Sequence, residues 1–218
     1  MVRSSEGDVF PAVAAGRRSV ADLLEGLDER QLATPSLCAG WTVRTVGAHL
    51  AEAAAPTLGA FLVAVVRAGG RVHRANDASA RRAARRPVAE LAALLRERAE
   101  DRTAPPITGP RALLTDVLVH EGDMRLPLGL AYDPDAAAVR TALDFVTAGR
   151  PVGFVPRGRL TRLRLQATDL DWSWGDGPVT QGPGIDLLMA ACGRATVLSQ
   201  LKGPGSQLLG ERLGAHPS

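Results

Sequence analysis

The apolar residues of this chain change their spacing near residue 150, and that change limits the folds open to it. From Val9 to Leu27 the residues Val13, Val20, Leu23, Leu24 and Leu27 recur at helical intervals, with Asp22 and Glu25 on the other side, which predicts a first helix. Thr42 can cap a second helix from about Val43 to Arg67, ended by Gly69 and Gly70. Pro87 suits the first position of a third helix that stops near Asp101. A fourth runs from about Pro110 to Leu126, where Pro127 disfavours continuation, and another spans roughly Pro134 to Ala148. The polar, Arg-rich residues 71–86 read as a poorly defined connection with room for helical turns of its own, and ATPSLCAGWT and TAPPITGP read as connections.

After Gly149 the period shortens to two. RLTRLRLQATD reads as a strand, Trp172 to Gly177 as a second strand with a turn, and residues 184–200 and 204–213 as closing helices. The expected fold class is therefore α+β: a helical domain over 1–149 followed by a small mixed α/β domain over 150–218.

Within the helical part, three residues point to chemistry. Asp116 and His120 are four apart on one predicted helix, so they project from the same face. His49 lies in the second turn of another. Two histidines and a carboxylate are a common set of ligands for a divalent metal with a position left for water or substrate. Such a metal can activate a water, bind a thiol as thiolate or polarise a carbonyl. Asp123, three residues beyond His120, can accept a proton from a ring nitrogen or anchor Arg125. Trp41 is expected to pack the entry of the His49 helix.

Composition removes several function classes. No run approaches 18 uninterrupted apolar residues, and the first twenty carry charges where a signal peptide needs an apolar block, so a cytoplasmic protein without membrane association is expected. Cys38 and Cys192 are far apart and suggest neither a disulfide framework nor a zinc ribbon; both read as small buried side chains. Lys202 is the sole lysine among 26 basic residues, a bias expected of a GC-rich genome. With aromatic residues at 4% and a net charge of +3, no nucleic-acid partner is expected. The run RRAARR at 81–86 reads as a solvated face.

Several segments in order resemble one family. TPSLCAGWTVRTVGAHL resembles the Thr-Pro, Cys, Gly-Trp-Thr, Val and His-Leu pattern of the mycothiol-dependent maleylpyruvate isomerase family, and DVLVHEGDMRLPLG is similar to its second metal motif. ATDLDWSWGDG and CGRATVLSQLKGPG resemble its C-terminal domain. The resemblance covers nearly the whole chain. It implies a DinB-like four-helix bundle followed by a small sterol-carrier-like α/β domain. It implies a divalent metal, zinc first, held by His49, Asp116 and His120, with Asp116 standing where the isomerases have glutamate. It also implies mycothiol as thiol cosubstrate, an electrophilic small-molecule substrate, and Arg194 as a catalytic residue directed at a substrate carboxylate. Thiol addition to a conjugated cis double bond, rotation and expulsion would give isomerisation; retention of the thiol would give an S-transferase. Two other readings stay open: a metal-free binding or partner-docking protein on the same fold, and a thiol-independent metal-dependent hydrolase or tailoring enzyme. The sequence is equally consistent with a monomer and a homodimer.

Overall fold

A computed structural model describes residues 8–54, 72–104, 108–149, 151 and 153–214. The order is α1 (Phe10–Gly26), α2 (Glu29–Leu32), α3 (Val43–Ala53), α4 (Val72–Ala83), α5 (Val88–Glu97), α6 (Pro110–Arg125), a 3-10 turn (Leu126–Leu128) and α7 (Ala136–Thr147). Strands β1 (Arg164–Ala167), β2 (Ser173–Trp174) and β3 (Val179–Gly182) follow, then α8 (Gly184–Ala191), a 3-10 helix (Ala195–Gln200) and α9 (Pro204–Arg212). The class is α+β. Contacts gather the chain into two compact units, residues 1–104 with 123–131 and residues 105–122 with 132–218. This grouping follows contacts, whereas the boundary read at 149 follows the change in apolar spacing.

In the first unit, α1 packs on α5 and α3, and α4 packs on α3. The buried residues of α1 include Val13, Val20, Leu23 and Leu24, and those of α5 include Leu91 and Leu95, the periodic positions of the sequence. Arg17 is 3% exposed, and its Nη1 donates to the carbonyls of Arg98 at 2.8 Å, Ala99 at 3.2 Å and Asp101 at 2.9 Å. It thereby ties α1 to the turn that follows α5, where the Arg98 carbonyl also accepts from the Asp101 N–H at 3.0 Å. Gly47 allows α3 to approach α1 closely: a Cβ there would sit 2.7 Å from Leu24 Cδ2. Thr42 caps α3 by accepting from the Thr45 N–H, as its position predicts.

In the second unit, β1 lies between β2, antiparallel, and β3, parallel, with Leu165 opposite both Trp174 and Thr180. Leu165, Ala167, Thr180 and Gly182 are buried on that sheet, and α8 contacts both β1 and β3. α8 itself buries Leu187, Leu188, Met189, Ala190 and Ala191. Gly175, at φ +81°, could not carry a side chain without strain, and a Cβ there would lie 2.3 Å from the Leu163 carbonyl oxygen. The Trp172 indole N–H donates to Asp144 Oδ1 of α7 at 2.8 Å.

Four details differ from the sequence reading. Residues 71–86, expected as a poorly defined connection with room for helical turns, carry the regular helix α4; the buried stripe is built from Ala80 and Ala83, whose small side chains give a weak apolar signal. β3 was not expected, since Val179–Gly182 is short and lacks alternating apolar residues. The helix expected over 184–200 breaks at Gly193, φ +104°, into α8 and a 3-10 helix. A four-residue α2 also forms, held by a reciprocal cap between Asp28 and Gln31. The expected continuation of the second helix past residue 54, and its end at Gly69 and Gly70, lie outside the described residues. Among the described residues no helix is long and apolar enough to cross a membrane.

Candidate metal centre

Asp116 and His120 stand one turn apart on α6 among Leu113, Leu114, Val117 and Leu118, all buried. The apolar neighbours fix the rotation of the helix, which leaves the acid and the imidazole together on a half-buried edge. His120 Nε2 and Asp116 Oδ1 are 3.4 Å apart. That is longer than a good N–H···O hydrogen bond, about 2.7–3.2 Å. Two donors each about 2.1 Å from one tetrahedrally coordinated ion stand about 3.4 Å from each other. The spacing of these two atoms fits two ligands of one ion.

His49 of α3 is the third predicted residue. His49 in the first unit, and Asp116 with His120 in the second, are each half-buried, and each can offer one ligand atom to a metal.

The surroundings of His49 in the first unit were only partly foreseen. The ring of Trp41 lies 5.3 Å from that of His49, tilted by 52°, so the indole bounds the imidazole rather than merely packing the helix entry. The indole N–H donates to Asp77 Oδ1 at 2.7 Å, and Asp77 also accepts from Arg81, whose guanidinium donates on to the Gly40 carbonyl at 2.9 Å. The Trp41 N–H first and Arg81 second hold the Asp77 carboxyl below the usual carboxylate range. Asp77 lies in the segment read as a connection, which is why it was missed.

Asp123 is fully buried, and its Oδ2 accepts from the Cys38 thiol at 3.0 Å while its backbone carbonyl accepts from the Leu37 N–H at 3.2 Å. Cys38 is therefore half-buried and engaged with a carboxylate, not simply packed, whereas Cys192 is buried as expected. Arg125 donates to Ser19 Oγ at 3.2 Å.

Arg194 is not among the potential metal ligands. It follows Gly193 at the end of α8, and its Nη1 donates to the Cys192 carbonyl at 2.8 Å. Arg159, which the sequence did not single out, lies beside it: Arg159 Nη1 would be 3.0 Å from a Cβ on Gly193. Burial lowers the Arg159 pKa, Cys192 opposes that shift and Arg194 adds to it. Nearby on α8, burial first and Asp169 second push the Asp186 carboxyl upward.

Residues 13–112 match the family model described as the mycothiol maleylpyruvate isomerase N-terminal domain. No curated relative matches the sequence. The fold is similar to a solved structure described as the mycothiol-dependent maleylpyruvate isomerase, with a TM-score of 0.59 and 16% identity, covering 90% of this chain and 92% of that one. A structure of a mutant of that enzyme, with a histidine replaced by alanine, is similar to the same degree, again at TM-score 0.59 and 16% identity over 90% and 92% of the two chains. Helix α3 and residues 110–112 of α6 lie inside the matched segment, whereas Asp116, His120 and the small sheet lie beyond it. Residues 13–112, a little under half of the chain, are thus similar to the mycothiol maleylpyruvate isomerase N-terminal domain, and the α+β fold is similar to that of the solved isomerase.

Proposed function

We propose that this protein is a cytoplasmic, metal-dependent enzyme that activates mycothiol for addition to an electrophilic small molecule, with cis-trans isomerisation of the maleylpyruvate type as its reaction. The observation that carries the reading is the 3.4 Å spacing of His120 Nε2 and Asp116 Oδ1 on one face of α6, with His49 of α3 as the third ligand that the family resemblance supplies. Two neutral nitrogens and one carboxylate suit a borderline divalent ion, zinc foremost, and leave room for an exogenous sulfur. Bound there, the ion would lower the pKa of the cosubstrate thiol, so that thiolate forms at neutral pH.

The chain's own residues supply the remainder. Asp116 contributes the single negative charge of the ligand set, and the Trp41 ring restricts the swing of the His49 imidazole. Arg194, permanently charged, is suited to the carboxylate of a substrate. In the isomerisation, the thiol sulfur adds to one carbon of a conjugated cis double bond, the resulting single bond rotates, and expulsion of the same sulfur restores the double bond as trans. No net proton or electron is exchanged. An S-transferase follows if the adduct is protonated and kept.

The test is turnover of maleylpyruvate by purified protein, followed by absorbance, with and without mycothiol. Turnover that requires both the thiol and a bound metal supports the proposal. Turnover of another electrophile with loss of free thiol assigns the transferase outcome, and hydrolysis that proceeds without thiol overturns the thiol-dependent reading.

A further inference from the structure

Trp41 is held at both of its ends. Its main-chain N–H donates to the Cys38 carbonyl at 3.0 Å, and its carbonyl accepts from the Ser36 N–H and from Ser36 Oγ, both at 2.9 Å. At the far end of the side chain the indole N–H donates to Asp77 Oδ1 at 2.7 Å. Arg81 Nε donates to both oxygens of Asp77, at 2.9 Å and 3.1 Å, and so fixes the plane of the carboxylate. Its Nη2 reaches the carbonyl of Gly40, the residue before Trp41, at 2.9 Å. With main chain and indole N–H both tied, the two χ angles of Trp41 have little freedom left, and the ring stays 5.3 Å from that of His49 at a tilt of 52°. All of these residues belong to the first unit.

We propose that Asp77 is a positioning residue for the candidate metal centre, acting through the Trp41 indole to hold the His49 imidazole in one orientation before an ion binds. This rests on the reading of His49 as a metal ligand given above. Docking of α4 on α3 does not require Asp77. Ala80 and Ala83 already bury the inner stripe of α4, and Arg44 of α3 donates to the carbonyls of Ala84 and Arg86 just beyond it, both at 2.9 Å. Nor does the Asp77–Arg81 pair do much for α4 itself, since both side chains are half exposed and such pairs on a helix surface contribute little. The effect of the pair falls instead on the ring beside His49. A histidine that turns freely must be ordered when it takes an ion, whereas one already restrained by a tilted indole has less freedom to lose.

The experiment is zinc titration of the full chain in competition with a chromogenic chelator, with nuclear magnetic resonance of the His49 ring in the metal-free protein beside it. Asp77→Ala should weaken zinc binding about five- to tenfold, at or just below the lower end of the range for partners that orient metal ligands. Trp41→Phe keeps a ring beside His49 but removes the N–H, so it should weaken zinc binding to a similar extent. The double variant should be no worse than either single one, because both changes remove the same bond. Asp77→Asn retains an oxygen that can accept from the indole and should restore most of the affinity. Without metal, the indole ring current should displace the His49 ring signals in the wild type, and Asp77→Ala should return them toward those of a free histidine. Unchanged zinc affinity in Asp77→Ala and Trp41→Phe, or His49 ring signals indifferent to Asp77, would overturn the proposal while leaving the metal reading intact. A wild type that takes up no zinc would overturn both.

Discussion

Replacing Arg17 by methionine tests the reasoning about how the first unit is held together. Methionine keeps the apolar stem between α1 and α5 but removes a guanidinium whose Nη1 meets three carbonyls, those of Arg98, Ala99 and Asp101. One nitrogen has two hydrogens, so the loss corresponds to about two hydrogen bonds from a charged donor, each worth about 1.5–3 kcal/mol. Part of the resulting 3–6 kcal/mol, roughly, is returned because no charge need then be buried. A net destabilisation of about 3 kcal/mol remains, since the Ala99 carbonyl stays buried in the turn after α5. For a chain of this size about 2–4 °C of melting temperature accompanies each kcal/mol, so Arg17→Met should melt about 6–12 °C lower in circular dichroism. A melt within about 2 °C of wild type would show that the carbonyls find other partners and that Arg17 does not tie α1 to the turn after α5 in the sense argued.

Gly47→Ala should cost about 1–3 kcal/mol, because its Cβ would lie 2.7 Å from Leu24 Cδ2; it should also weaken metal binding, since α3 carries His49 two residues on, and parallel urea and metal titrations check both effects. Asp186→Asn should stabilise the protein at pH 7. The folded pKa of Asp186 is raised by burial and then by Asp169, so ionising this carboxyl costs more in the folded state, and its penalty grows as pH rises through the ordinary carboxylate range. The advantage of the variant should accordingly vanish below about pH 4, as urea midpoints measured from pH 3 to 8 would reveal; a constant advantage at all pH values would exclude ionisation as its cause.

The sequence made the helices with leucine and valine stripes legible, and with them the placement of Asp116 and His120. Pro110 and Pro127 bracket α6, and its period is clear enough to set both residues on one face. What escaped lay in contacts between residues distant in the chain or in weak local signals. α4 buries alanines, which barely distinguish an inner face from an outer one, so Asp77 was not seen as the partner of Trp41 across 36 positions. The bond from Cys38 to Asp123 spans 85 positions, and nothing in either neighbourhood announces it. Arg159 looks like any arginine of an arginine-rich chain until Gly193 is seen to leave space for it. β3 takes its place through backbone pairing with β1, including Leu165 opposite Thr180, and a four-residue segment with one valine carries little sign of that.

The central claim is that His49, Asp116 and His120 hold one divalent ion. Elemental analysis of the purified wild type beside His49→Ala, Asp116→Asn and His120→Ala tests it most directly. The account predicts close to one metal per chain in the wild type and a large loss in each variant with the fold retained by circular dichroism. Full metal content in the two histidine variants, or a metal-free wild type after zinc reconstitution, would contradict it.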